Sequence, residues 1–191
     1  MATQTERRSA TTKALRRAAR KLFGRRGFDS VSIDDVADAA GVTRGALYHY
    51  YANKEQLFEA VFEEVELALV ERVLRATLAE TDPLEQLRAG CEEFIDATAD
   101  RQISRIALID APLVLGWARY REVDERNFLT LVRQAVDAIR GTKQPHENAM
   151  LSRALFGALC ELALRAATNP DERDAAKRAA RILADAAATG A

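Results

Sequence analysis

Residues 32–54 read SIDDVADAAGVTRGALYHYYANK, and this stretch decides the fold. Ser32, with Asp35 three positions on, has the spacing of a helix N-terminus. The hydroxyl can accept from a free backbone N–H, and the acid lies at the positive end of the helix. Ile33, Val36, Ala37 and Ala40 then fall at i, i+3, i+4 and i+7, which predicts a short one-faced helix. Gly41 ends it where a left-handed residue is needed, because glycine has no Cβ to clash. Val42 points back to the core. Thr43 is the next N-cap, opening a helix from Arg44 to Tyr50, and Asn53 caps a third, with Gln56 at its N3 position.

Two short helices joined at a tight glycine corner make a helix-turn-helix, whose second helix can enter the DNA major groove. Ala37 is small where the helices approach most closely, and Leu47 and Tyr50 give the second helix an inward side. Arg44, Gly45, Tyr48 and His49 are left facing out, with no acid between Thr43 and Lys54. A guanidinium can read guanine through two hydrogen bonds, a small residue permits close approach, and Tyr and Lys can hold phosphates. Each feature has a plainer reading: Gly41 and Ala37 suit any tight corner, Arg44 fits a solvated charge, and Tyr50 fits a half-buried aromatic as well as a phosphate contact.

Working outward, residues 12–26 place Leu15, Ala18, Ala19 and Leu22 on one face, ringed by Lys13, Arg16, Arg17, Arg20, Lys21, Arg25 and Arg26. Phe23 and Phe28 are expected to close a small core, and residues 1–10 are expected to form a polar arm carrying Arg7 and Arg8. The stretch VTRGALYHYYANKEQLF, together with the amphipathic helix 13–26 and the link RGFDSVSIDDVADAAGV, resembles the DNA-binding head of the TetR family of bacterial transcriptional repressors. The resemblance covers about the first third of the chain; the rest is similar to the family only in helical layout and length. It implies that Thr43, Arg44 and Gly45 lie at bases and that Tyr48, Tyr50 and Lys54 lie at phosphates. His49 is included among the candidate DNA contacts, although its position varies in role. It further implies a homodimer on a palindromic double-stranded operator, released by a small-molecule effector. The alternative is a DNA-binding protein of the same fold that answers to a protein partner.

The net charge of −1 would argue against nucleic acid, but its distribution does not. Residues 1–55 hold 11 Lys and Arg against 6 Asp and Glu, and residues 56–191 hold 17 against 23. A basic head on an acidic body suits an anionic partner at one end. The expected fold is therefore all-α: a three-helix head, 1–55, on a larger helical ligand-binding and dimerisation body, 56–191.

Within the body a long amphipathic run from Lys54 to about Ala79 would join the two parts. Thr81-Asp82-Pro83 stops it, and Asp82 caps a helix 83–99 with Leu84, Leu87, Cys91, Phe94 and Ile95 inward. A helix over about 102–110 is expected to be interrupted by Pro112, and another from about 118 to 140 to end at Gly141. Residues 104–128 are the most unusual stretch, and with Phe94 they supply the candidate ligand pocket: Arg105, Asp110, Trp117, Tyr120 and Phe128. Trp117 equally fits a plug for a helix kink after Gly116. The last two helices, about 146–168 and 171–188, carry small residues at helical spacing, among them Gly157, Ala176, Ala179, Ala180 and Ala187. They are expected to form a four-helix dimer bundle with a second subunit, or else to complete the monomer core.

Enzyme chemistry finds no foothold in the sequence. The two histidines, His49 and His146, are far apart, and there is no phosphate loop, HExxH or G-x-S-x-G. Cys91 and Cys160 have no metal-ligand spacing and suit a reducing cytoplasm as small buried hydrophobes. No cofactor, metal or membrane span is expected.

Overall fold

A computed structural model describes residues 3–189, and every regular element among them is helical. The order is α1 (Gln4–Arg26), α2 (Ile33–Ala40), α3 (Arg44–Tyr50), α4 (Lys54–Thr77), α5 (Pro83–Thr98) and α6 (Arg101–Ser104). A π-helical segment (Arg105–Asp110) leads into α7 (Ala111–Leu115) and α8 (Trp117–Asp124). A second π segment (Glu125–Leu129) leads into α9 (Thr130–Arg140), followed by α10 (Pro145–Thr168), a 3₁₀ turn (Pro170–Glu172) and α11 (Arg173–Thr189).

The head packs α1, α2 and α3 against the start of α4. Leu15, Ala19 and Phe23 from α1 meet Val36 of α2, Leu47 of α3 and Leu57, Phe58 and Val61 of α4, all with almost no exposure. Phe23, Phe28 and Phe58 form a ring triad with centroids 5.2 to 5.7 Å apart, two of the three pairs edge-on. Truncating such a ring to alanine costs about 3–5 kcal/mol. α4 is about 36 Å long at 1.5 Å per residue. Its first turn belongs to the head and the rest to the body, so a boundary at residue 55 falls inside a continuous helix. In the body α4 and α11 flank α5, and α9 and α10 close the core behind it.

Three expectations change. The polar arm is helical from Gln4, because Thr3 and Glu6 form a capping box of the same kind as Ser32 and Asp35; residues 1 and 2 lie outside the described residues. Pro112 does not interrupt its helix. Its missing N–H falls just after a π turn in which Ala111 N–H donates to Ile106 O, five residues back, and the break comes at Gly116, whose φ is 75°. The small residues of α11 are largely spent inside the chain: Ala176, Ala180, Ala184 and Ala187 are buried. The outer faces of α10 and α11 carry Met150, Ile182 and Leu183 instead.

Head and body meet at the end of α1. A Cβ on Gly24 would come within 2.7 Å of Gln102 Cβ, and one on Gly27 within 2.5 Å of the Arg105 guanidinium. Just beyond, Phe28 N–H donates to Asp110 Oδ2 at 2.9 Å, fixing the turn after α1 to the first π segment.

Candidate nucleic-acid interface and body cavity

α3 is fixed at its N-terminal end. Thr43 Oγ accepts from Ala46 N–H at 3.1 Å, and Gly41 adopts the left-handed conformation, φ 69° and ψ 32°, that turns the chain between α2 and α3. Leu47 anchors the helix inward with no exposure. Thr43, Arg44, Gly45, Tyr48 and His49 are all exposed and share one side of the molecule's head. The Arg44 guanidinium reaches across the corner to Asp34 Oδ2 at 2.9 Å and lies 5.5 Å from the Tyr48 ring centre. Both partners of that ion pair are more than half exposed, so solvent and salt screen it strongly.

Gly45 is the most telling residue of the face. A Cβ there would meet nothing within 4 Å. A glycine inside a helix destabilises it by about 1 kcal/mol relative to alanine, and nothing within the chain uses the space it leaves. The open space lies between Arg44 and Tyr48, where an outside surface would approach the backbone.

Two of the candidate DNA contacts sit differently from the rest. Lys54 Nζ donates to Phe28 O at 3.0 Å and Val31 O at 3.1 Å, and lies 3.9 Å from the Phe28 ring centre. Its ammonium thus ties α4 to the turn between α1 and α2, and a phosphate would have to compete with two carbonyls. Tyr50 is half-buried, packed on the head core and edge-on to His49, with the Arg8 guanidinium 6.0 Å from its ring centre. The neighbouring Tyr51 is buried, and its hydroxyl accepts from Arg16 Nε at 2.9 Å while Arg16 also pairs with Glu64.

The six residues expected to line one pocket fall in three places. Phe94 and Phe128 face a cavity of about 260 Å³ between α4, α5, α9 and α10, joined by Val73, Cys91 and Phe156. Phe94, Phe128 and Phe156 have ring centroids 5.1 to 5.9 Å apart. Burial pushes the Cys91 thiol up to about 12, so it lines the wall as a neutral group. Arg105 and Asp110 are 3.9 Å apart at the head–body junction, where Asp110 holds Phe28. Burial raises Asp110, and the Phe28 hydrogen bond opposes that shift. Trp117 and Tyr120 border a separate hollow with Asp124 and Cys160; Trp117 is 67% exposed.

Two buried acids escaped the sequence reading. Glu66 is 3% exposed and Asp124 2% exposed. Each has a carboxylate oxygen without a hydrogen-bond partner. Burial first, then the nearby Asp124, push Glu66 up to about 8; Asn127 pulls the other way. Burial pushes Asp124 up to about 7 against the pull of Arg121. The signal was available: Phe62, Val65, Glu66 and Leu69 share one helical face, so an acid occupies a core position.

Among the described residues no helix is long and apolar enough to cross a membrane, and no group of three or more His, Cys, Asp or Glu is placed to hold a metal ion. The model of bacterial regulatory proteins of the tetR family matches residues 15–61, and that of the tetracyclin repressor-like C-terminal domain matches residues 84–188. The TetC protein of transposon Tn10 from Escherichia coli is 28% identical over 120 residues, which is 63% of this chain and 60% of that protein. The chain thus spans less than two thirds of that relative's length. A TetR-family transcriptional regulator from Pectobacterium atrosepticum superimposes with a TM-score of 0.77 at 27% identity, over 99% of this chain and 97% of the other. The transcriptional regulator FadR from Bacillus subtilis, solved in complex with stearoyl-CoA, shares the fold with a TM-score of 0.74 at 16% identity, over 94% and 98% of the two chains.

Proposed function

The chain belongs to the tetR family of bacterial regulatory proteins, and we propose that it is a cytoplasmic transcriptional repressor that binds a palindromic operator as a homodimer and is released by a small molecule. In this reading residues 1–55 are the DNA-binding head and 56–191 the ligand-binding and dimerisation body. The observation that carries it is the outward face of α3. An anchored helix presents Thr43, Arg44, Tyr48 and His49 around a glycine whose missing side chain serves no internal contact. Arg44 would leave Asp34 for a base edge, Tyr48 would hold a phosphate, and α1 would add positive charge along the backbone. Two heads set about one helical turn apart, roughly 34–36 Å, read the two half-sites. The exposed Met150, Ile182 and Leu183 on α10 and α11 are apolar side chains that a second subunit would cover.

The cavity between α4, α5, α9 and α10 supports control by a small molecule over control by a protein partner. Its walls are apolar and aromatic, and they are built in part by α4, the helix that continues into the head. An effector that prefers a different tilt of α4 shifts the spacing of the heads by its differential affinity for the two states.

The test is capture. The purified, ligand-free protein is mixed with sheared genomic DNA from its source organism, and the retained fragments are sequenced. A short palindrome in the retained fragments, bound with an affinity that falls steeply with salt at about 0.9 log units per phosphate neutralised, is the expected result. Folded protein that retains no sequence, or binding indifferent to salt, would overturn the reading.

A further inference from the structure

A second hollow, of about 210 Å³, opens between α7, α8 and α10 and shares no lining residue with the phenylalanine cavity. Its walls combine three kinds of group. Leu108, Pro112 and Leu164 are apolar; Trp117 and Tyr120 are aromatic, with centroids 6.0 Å apart; Asp124 and Glu161 are acidic. Asp124 is 2% exposed, and its Oδ2 has no hydrogen-bond donor. Behind it lies Glu66 of α4, 3% exposed, with Oε2 equally unpartnered. Buried carboxylate oxygens are ordinarily satisfied, so two such atoms close together call for a partner.

The chain already indicates what kind of partner fits. Arg121, on the rim, holds its guanidinium 5.2 Å from the Trp117 ring centre and 3.5 Å from Asp124 Oδ2. A cation thus rests between an aromatic face and a carboxylate, an arrangement that attracts charge through both the ring quadrupole and the anion. Its reach falls short of a hydrogen bond, since Oδ2 stays unpaired. Asp124 and Glu161 line the hollow against this one guanidinium, so an anionic ligand finds no surplus of positive charge there. An ammonium brings three donors on a compact head and can reach deeper than the planar guanidinium.

We propose that this hollow is a binding site for a small organic cation, a primary amine carried on an apolar or aromatic body. The ammonium donates to Asp124 Oδ2, the atom that lacks a donor. The body of the ligand lies against Trp117, Tyr120 and the aliphatic wall. Arg121, which is partly exposed, swings out to make room. The proposal does not depend on the DNA reading, because it is tested on the protein alone.

Trp117 is the only tryptophan of the chain and stands at the mouth of the hollow, so its fluorescence reports occupancy. The experiment titrates the full-length protein at neutral pH with three probes of similar size: benzylamine, benzyl alcohol and phenylacetate. The expected result is a saturable change with benzylamine alone, weakened at least about tenfold in Asp124→Asn, which loses a charge-assisted hydrogen bond. Asp124→Asn removes a buried charge and keeps the side-chain shape; a melting curve verifies that it is folded. Equal responses to the neutral or anionic probe would overturn the proposal. So would undiminished benzylamine binding by folded Asp124→Asn, or no saturable response up to about 10 mM, an affinity too weak for a built site. The comparison of the three probes on the unaltered protein decides the matter even if the variant does not fold.

Discussion

Replacing Glu66 by glutamine should stabilise this protein, and by an amount that grows with pH. Glu66 is 3% exposed, and its acid constant is pushed up to about 8 from an ordinary 4.5. Between those values the folded chain keeps a proton that the unfolded chain has released. Stability therefore falls as pH rises through that window, and the loss is absent below it. At pH 7 holding that proton costs about 3 kcal/mol, and at pH 5 under about 1 kcal/mol. Glutamine has the same shape, offers both a donor and an acceptor, and cannot ionise, so Glu66→Gln removes the cost. For a chain of this length each kcal/mol moves the midpoint by about 2–4 °C, giving a gain of about 6–12 °C at pH 7 that nearly vanishes at pH 5. Thermal melts of both proteins by circular dichroism at pH 5, 6, 7 and 8 measure the gap directly. A gap that stays constant with pH, or a variant that melts lower at pH 8, would refute the reasoning.

Three further substitutions address the head. Gly45→Ala should raise helix stability by up to about 1 kcal/mol, since the new methyl meets nothing, while weakening operator binding; a melt and a gel-shift titration on the same sample read both, and unchanged affinity would show that the space is idle. Lys54→Met keeps the aliphatic stem but drops the donors to Phe28 O and Val31 O, so it should destabilise by about 2 kcal/mol and leave the salt slope of DNA binding unchanged; a slope reduced by about 0.9 would instead mark Lys54 as a phosphate contact. Tyr48→Ala, at a side chain 42% exposed, should weaken DNA binding with little effect on the melting midpoint, and unchanged affinity would remove Tyr48 from the interface.

What was legible in the sequence was local. Ser32 with Asp35, Gly41, Thr43, Asn53 and Asp82 announce helix ends through contacts spanning two to four residues, and each cap forms as its spacing demands. The same rule applied to Thr3 and Glu6 extends α1 to Gln4, where polar composition alone suggested an arm. Contacts between distant segments were not legible. The ammonium of Lys54 looks free until the Phe28–Val31 turn, more than twenty residues away, is seen to bring its carbonyls beneath it. The pocket residues scattered for a related reason. Arg105, Trp117 and Phe128 are near in sequence, but two π segments and the Gly116 break re-aim successive stretches of helix, toward the head, the rim and the core in turn. Glu66 was readable as an acid on an apolar face, yet its partner Asp124 lies on a helix whose packing only the tertiary fold decides.

The ion pair between Arg44 and Asp34 bears on how such a protein finds its target in time. A genome offers an immense excess of wrong sites, so search speed depends on leaving them quickly. If α3 reads DNA as proposed, Arg44 on arbitrary sequence would exchange one ionic partner, Asp34, for another, a phosphate, and little would hold it there. Where a guanine edge faced it, two parallel hydrogen bonds would replace the single one to Asp34, and departure would slow. In that reading Asp34 would offset what Arg44 gains at a phosphate and leave the second hydrogen bond to guanine as the net gain, giving a basic head a reading tip that does not linger.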